Sequence, residues 1–222
     1  MVRISAILLG AGESKRMGTN KLFLPWGRKT IFEQCLGTLL RSKVKEVIVV
    51  INERIVGKVN GLKDRKVKVV TNPSYKRGMS TSIRIGIKVM DPKSRGILIA
   101  LGDQPFLKAR TIDALLKAFS HWKGGIIVPS FRGKRGHPVI FHRRYEKKLL
   151  KLIGDMGGRS ILEDHPEGVK AVRVKSEGVV KDIDTWEDYH PSSLSLPTGD
   201  CAAMGTTKQK RSGHLEGCQI IK

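Results

Sequence analysis

Short apolar runs alternate up to residue 128 with segments whose apolar side chains recur at helical spacing, as at Ile83, Ile87 and Met90. Apolar runs that close on glycine are typical of buried parallel strands. The pattern predicts strands at 2–9, 46–51, 67–70, 96–101 and 125–128, with helices at 29–40, 80–90 and 111–122. This is the spacing of βαβ units, so we expect an α/β fold with three layers, in which helices cover both faces of a mainly parallel sheet.

The alternation changes after Gly136. The sequence predicts a strand at 138–142 that need not be parallel, a very basic helix at 143–153, a short helix at 160–163 and a strand at 169–174. Asp182-Ile183-Asp184 is predicted as the end of a strand, and a helix is expected to start at Thr185. The periodic part of the chain therefore continues to about residue 190.

From about Pro191 no period is sustained, and Ser, Thr and Gly are frequent. We therefore expect one domain at 1–190 and a flexible C-terminal tail at 191–222. The tail contains Cys201, His214 and Cys218, but three ligands without a CxxC pair do not make the four-ligand set of structural zinc. A zinc site is not expected there.

Composition narrows the classes of function. The 222 residues include 42 Lys plus Arg against 20 Asp plus Glu, for a net charge of +22. Nucleic-acid binding, an anionic small substrate and a basic surface adapted to heat all remain open on charge alone. Nucleic acid is the least favoured of these, because the basic residues are dispersed and aromatic residues are only 5% of the chain.

Location follows from what the sequence lacks. No apolar stretch is long enough for a membrane helix, so no membrane partner is expected. The start of the chain does not resemble a secretory signal, and three cysteines are too few for a disulfide scaffold. We therefore expect a cytoplasmic protein.

The loop after the first strand carries the clearest chemistry. Gly10, Gly12 and Gly18 allow backbone N–H groups to turn toward an anion, and Arg16 and Lys21 add cations. It is not a Walker A loop, because no Gly-Lys-Ser/Thr opens a helix here. The alternative is a basic surface turn, but a loop that directly follows a buried strand favours phosphate binding.

Two acidic positions are candidate metal ligands. Asp103 follows the strand at 96–101, and Asp184 follows the predicted strand end near Asp182. Carboxylates at strand ends can hold Mg²⁺, although each can equally cap the segment that follows it. Ser80 and Ser82 present the same ambiguity, because hydroxyls at the start of the helix at 80–90 could cap the helix or contact a nucleotide base.

Five separated blocks carry a resemblance to a known family. The opening LLGAGESKRMGTNKLFLPW resembles LAAGxSxRMGxxKLLLPW of the molybdenum cofactor guanylyl- and cytidylyltransferase-like nucleotidyltransferases. NPSYKRGMSTSIRIGI, LGDQPF, GHPVIF and DIDTWEDY resemble that family's later blocks. In addition to these five blocks, the short segment GDMGGR resembles the family's GDxGAR block. The likeness spans about residues 4 to 190 and is closest to the cytidylyltransferase branch. Gly10 stands where the family usually has Ala, and Trp186 where it usually has Pro.

The resemblance implies a Rossmann-like nucleotidyltransferase fold and a specific reaction. The phosphate of molybdopterin would attack the α-phosphate of CTP, pyrophosphate would leave, and a molybdoenzyme would receive the product. The family's site residues then fall on positions of this chain as follows. Gly10, Ala11, Gly12, Arg16 and Lys21 would bind the nucleotide, with Ser80 and Ser82 near the base; Lys21, Arg16 and Asp103 would act in catalysis; Asp103 and Asp184, or less favourably Asp182, would hold Mg²⁺.

The resemblance also assigns an acceptor side and a base. Arg135, Gly136, His137 and Pro138 would lie on the side of the pterin phosphate. Ala11 stands where the cytidylyl branch has Ala and the guanylyl branch has Gly, which favours CTP over GTP. Transfer from GTP, transfer to a sugar phosphate, and a non-catalytic molybdopterin carrier remain the alternatives.

Overall fold

The computed structural model describes residues 2–59, 62–155 and 157–189 of the chain. The predicted tail at 191–222, with Cys201, His214 and Cys218, lies outside these residues, so its flexibility stays a prediction. Within the described ranges, no helix combines the length and apolar character that crossing a bilayer requires.

Strands and helices alternate along the described chain, as the hydrophobic pattern predicted. The strands are β1 (Ile4–Gly10), β2 (Pro25–Trp26), β3 (Lys29–Thr30), β4 (Glu46–Ile51), β5 (Val67–Thr71), β6 (Gly96–Leu101), β7 (Ile126–Phe131), β8 (Lys134–Arg135), β9 (Val139–His142) and β10 (Val169–Arg173). The α-helices are α1 (Ile31–Arg41), α2 (Met79–Val89), α3 (Ala109–His121), α4 (Glu146–Leu150) and α5 (Arg159–Asp164).

The main sheet has the order β10-β7-β9-β6-β1-β4-β5, with β8 paired to β7. β1 is parallel to β4 and β6, β4 is parallel to β5, and β7 is parallel to β10. β9 lies between β6 and β7 and is antiparallel to both. The predictions of a mainly parallel sheet and of a later strand that need not be parallel are confirmed.

Helices cover both faces of this sheet. Apolar side chains of α1 and α3 pack on one face, and those of α2, α4 and α5 pack on the other. Because neither face meets water, β1 and β4 are buried along their whole length, which explains their continuous apolar sequences. Helix α1 starts at Ile31 rather than at 29, because Thr30 and Glu33 form a reciprocal capping box.

The helix predicted at 143–153 is too long, and the predictions of a strand end at 182–184 and of a helix start at Thr185 are wrong. The basic helix expected at 143–153 is a 3₁₀ turn followed by the short α4, and the chain then turns at Gly154, where φ is +65°. Residues 182–184 form no strand, and no helix starts at Thr185. The Asp188 carboxylate instead accepts hydrogen bonds from the backbone N–H groups of Asp184 and Thr185 and from the Thr185 hydroxyl, which closes a turn.

Candidate active site

A cavity of about 360 Å³ opens where the parallel strands β1 and β6 end. Such a position is the usual ligand site of an open α/β sheet. The cavity is lined by most of the predicted site residues, namely Gly10, Ala11, Gly12, Arg16, Lys21, Ser82, Asp103 and Asp184. Residues that lie far apart in the chain, such as Arg16 and Asp184, therefore share one site.

The opening loop reaches the cavity through two short 3₁₀ turns, Lys15–Met17 and Lys21–Phe23. The side chain of Asn20 caps the second turn by accepting a hydrogen bond from the N–H of Leu22 at 3.2 Å. This cap fixes the start of the turn from which Lys21 extends into the site. Gly18 has a φ of +66° and supplies the bend between the turns, but it does not line the cavity.

A buried residue outside the predicted set, Asn52, holds the opening loop in place. Its amide Nδ2 donates to the carbonyl oxygen of Ala11 at 3.0 Å, and its Oδ1 accepts from the N–H of Arg54. The carbonyl and N–H of a trans peptide point in opposite directions, so this bond directs the N–H of Gly12 away from Asn52. Asn52 directly follows β4 at the same sheet edge as Asp103, and that position was the available sequence signal.

Lys21 joins the two acidic positions. Its Nζ donates to Asp103 Oδ2 at 2.7 Å and to Asp184 Oδ1 at 2.7 Å. Burial on its own would lower the pKa of Lys21, but the two carboxylates outweigh it and the pKa lies above the usual lysine value. Arg16 is more exposed and lies 3.1 Å from the other oxygen of Asp184. The site is thus a network of two cations and two carboxylates.

The chemistry of these acidic groups suits a hard divalent cation. Mg²⁺ is commonly bound by one or two carboxylates together with substrate phosphates. Asp103 Oδ1 is buried and has no hydrogen-bond partner among the residues that the structure describes, so it retains the capacity to coordinate a cation. Asp182 lies nearby but does not line the cavity, and burial, followed by the charges of Asp184 and Asp103, raises its pKa. No group of three or more His, Cys, Asp or Glu in the described ranges forms a metal cage, so phosphate oxygens would have to complete the coordination.

The two predicted serines have different environments. Ser82 lines the cavity, and its hydroxyl accepts a hydrogen bond from Asn72 Nδ2 at 2.8 Å. Ser80 is fully buried, does not line the cavity, and its hydroxyl has no partner. The proposal of a contact near the base therefore stays with Ser82.

A second cavity of about 530 Å³ adjoins the first, and Met79 and Asp155 line both. Its walls are mainly apolar, and its polar lining includes Arg135, His137 and Arg159 together with the carboxylates of Asp155 and Glu163. Arg159 pairs with Glu163 at 3.0 Å. Burial lowers the pKa of His137 and so favours its neutral form. Pro138 is buried and does not line this cavity, whereas Gly136 does.

The loop at 154–155 ties the two cavities together. Asp155 Oδ1 accepts from the N–H of Met79 at 2.8 Å, and the carbonyl of Gly154 accepts from the N–H of Ser80 at 3.0 Å. These bonds satisfy two of the N–H groups left open at the start of α2. The approach also requires Gly78, whose φ is +102° and where an added Cβ would lie 2.5 Å from the backbone of Gly154.

Gly10, the departure from the family pattern, is explained by the ring of Phe32. A Cβ on Gly10 would lie 2.3 Å from the Phe32 ring, which is completely buried. We expect Gly10→Ala to destabilise the fold by about 1–3 kcal/mol through overpacking. Phe32→Leu should cost less in the Gly10→Ala background than alone, which a double-mutant cycle of denaturant unfolding measures.

Gly12→Ala is the matched control for this experiment, because a Cβ on Gly12 meets nothing within 4 Å. If Gly10→Ala and Gly12→Ala change the free energy of unfolding equally, the ring does not explain the glycine.

Comparison with known proteins identifies a family to which this chain belongs and several proteins of similar sequence. The model of the MobA-like NTP transferase domain matches residues 6–169. The chain is 28% identical to nicotine blue oxidoreductase of Paenarthrobacter nicotinovorans, over 84% of this chain and 95% of that protein. It is 26% identical to molybdenum cofactor cytidylyltransferase of Escherichia coli, over 85% and 95%. It is 30% identical to the probable molybdenum cofactor guanylyltransferase of Methanosarcina mazei, over 67% and 66%.

A solved structure is similar over nearly the same span. The complex of Rv0371c from Mycobacterium tuberculosis with manganese superposes with a TM-score of 0.70 at 26% identity. The match covers 85% of this chain and 96% of that one.

Proposed function

Because the chain belongs to the family of MobA-like NTP transferase domains and is a nucleotidyltransferase, we propose that it transfers CMP from CTP to the phosphate of molybdopterin and releases pyrophosphate. Its architecture is the Rossmann-like nucleotidyltransferase fold that the sequence predicted. The cytidylyltransferase of Escherichia coli, aligned over 95% of its length, supports this choice of donor and acceptor.

The observation that carries the proposal is the pair of adjoining cavities. The first is bounded by a glycine loop and two cations, as a triphosphate requires. The second is mainly apolar, which suits a pterin ring, and Arg135 and Arg159 at its border could pair with a phosphate, although Asp155 and Glu163 also line it. They meet at Met79 and Asp155, so the two substrates would bring their phosphates together at that junction.

The transfer needs positioning and charge neutralisation rather than a covalent enzyme intermediate. An oxygen of the acceptor phosphate forms a bond to the α-phosphorus of CTP as the bond to the β-phosphate oxygen breaks. Lys21 and Arg16 would neutralise negative charge on the phosphoryl oxygens as it shifts toward the leaving pyrophosphate. Lys21, with a side chain only 13% exposed, is better placed for this than Arg16, which is 70% exposed.

Asp103 and Asp184 would hold the Mg²⁺ ion that the family implies. When bound, the ion would neutralise phosphate charge and align the triphosphate. On the acceptor side, Arg135 and Arg159 would bind the pterin phosphate, because guanidinium groups pair with phosphate oxygens. A neutral His137 would exchange hydrogen bonds with the acceptor rather than add charge.

The preference for CTP over GTP has a steric basis. Ala11 lines the nucleotide cavity, and its methyl group leaves less room for a purine than glycine would. A difference of one methyl group shifts selectivity by about 10- to 200-fold. We therefore expect kcat/KM to be higher for CTP than for GTP. Ala11→Gly should reduce this difference without reversing it, since contacts such as that of Ser82 with the base would remain.

The experiment is a comparison of the four nucleoside triphosphates for pyrophosphate release with molybdopterin, giving kcat/KM for the wild type and Ala11→Gly. A wild type that prefers GTP would replace the proposal with guanylyl transfer, the activity named for the Methanosarcina mazei relative. Release with a sugar phosphate in place of molybdopterin would change the acceptor. Tight binding of molybdopterin without release from any nucleotide would indicate a carrier. If CTP is used, the product is a cytosine dinucleotide form of the cofactor, consumed by a molybdoenzyme in the cytoplasm.

A further inference from the structure

In this structure, the side chains proposed to bind the triphosphate contact the carboxylates proposed to hold the metal. Lys21 Nζ contacts one oxygen of Asp103 and one of Asp184, both at 2.7 Å. Arg16 contacts the remaining oxygen of Asp184 at 3.1 Å. Among the described side chains, Asp103 Oδ1 is the one carboxylate oxygen of these four for which no hydrogen-bond partner is found.

We propose that nucleotide and metal enter this site by an exchange of ionic partners, in which Lys21 occupies the carboxylates until a triphosphate draws it away. A divalent cation that arrives alone must displace Lys21 from both carboxylates. A triphosphate that arrives alone must compete with the same carboxylates for Lys21. When both are present, Lys21 moves to the phosphates and the cation takes the carboxylates, so each ligand removes the obstacle to the other.

Burial makes this exchange energetically significant. The side chains of Lys21, Asp103 and Asp184 are 13%, 19% and 29% exposed, so water screens their attraction less than at an open surface. Leaving either carboxylate without a cation beside it in such a position carries a large cost in free energy. Since binding of one ligand helps the other, the coupling is reciprocal, and coupling factors of this kind are typically about 5- to 150-fold.

The exchange would also give this site a safeguard against premature metal binding that a preformed metal site would lack. With Lys21 in place, abundant divalent cations do not fill the site ahead of the nucleotide. The carboxylates become available only when the phosphates that complete the coordination are present. The inference rests on the proposed function for the identity of the ligands, but not for the competition between Lys21 and a cation.

The test is titration of the protein with Mn²⁺ as an Mg²⁺ substitute, with free Mn²⁺ measured by electron paramagnetic resonance. Lys21→Met should bind Mn²⁺ without nucleotide about 5- to 150-fold more tightly than the wild type. The improvement that CTP brings to Mn²⁺ binding should shrink in this variant. Lys93→Met is the matched control, because Lys93 is exposed and does not line the cavity, and it should behave as the wild type.

Arg16→Met keeps the test independent of any folding defect caused by the loss of Lys21. Arg16 is largely exposed and contacts one oxygen of Asp184, so its removal should strengthen Mn²⁺ binding by a smaller factor. Unchanged Mn²⁺ affinity in both variants without nucleotide would overturn the exchange and leave Lys21 as a simple phosphate ligand. If the protein proves to use GTP, the coupling arm is run with GTP, so failure of the CTP proposal is distinguishable from failure of the exchange.

Discussion

Replacing Asp103 with Asn is expected to lower turnover by about 10²- to 10³-fold while the protein stays folded. The amide has nearly the same shape, but it removes the charge that pairs with Lys21 at 2.7 Å and would bind the metal. The protein should stay folded, because the Asn amide oxygen can still accept the hydrogen bond from Lys21 Nζ and Asp184 keeps its own ion pair with that lysine. The measurement is single-turnover pyrophosphate release with CTP and molybdopterin, alongside thermal unfolding.

Asp64→Asn is the control, since the Asp64 carboxylate lies at an exposed turn, where it accepts a hydrogen bond from the backbone N–H of Lys66, and it does not line the cavity. It should retain the wild-type rate. A rate for Asp103→Asn close to that of the wild type in excess magnesium would remove Asp103 from both catalysis and metal binding.

Gly136→Ala should lower the free energy of unfolding by about 3 kcal/mol or more, which is a larger effect than that expected for Gly10→Ala. A Cβ at this position would lie 1.9 Å from the carbonyl oxygen of Val179, so backbone would have to move. That carbonyl accepts the N–H of His137 at 2.8 Å, and the movement would therefore also displace a wall of the second cavity. The melting temperature should fall by about 6–12 °C for a domain of this size.

Gly57→Ala is the control for this substitution, because a Cβ on Gly57 would meet no atom of the described residues within 4 Å. Equal melting temperatures for Gly136→Ala and Gly57→Ala would contradict the prediction.

The sequence predicted the residues around the first cavity better than those around the second cavity. Asp103 follows the end of β6 and Lys21 lies on the loop that follows β1. Because parallel strands bring their carboxyl ends to one edge of the sheet, the local pattern was enough to predict that the two residues lie close together. Asp155 and Arg159 lie on a loop that joins the site only through its packing on the start of α2. No periodic pattern in the sequence predicts that contact. Asp155 and Arg159 were singled out only because the segment GDMGGR resembles a block of the family.

Pairing between side chains was the other limit of the sequence. Arg16 and Lys21 were expected on phosphates and Asp103 on a metal, but their mutual pairing appears only with coordinates. The helix predicted at 143–153 was too long for a similar reason, since a contact between distant parts of the chain ends it early. Its apolar and basic residues suit a helix, whereas the turn at Gly154 is set by the docking of the following loop on α2.

The position of β9 has a consequence for the order in which the molecule assembles. β6 and β7 are consecutive long strands of the main sheet but not neighbours, because β9 fills the gap between them. On the ribosome, β1, β4, β5 and β6 emerge first and can pair through local crossovers, while the free edge of β6 waits for a strand made some forty residues later. The segment that leads into β9 carries Gly136 and His137. The walls of the first cavity thus come largely from chain made early, and the second cavity closes only when residues 135–163 have been synthesised.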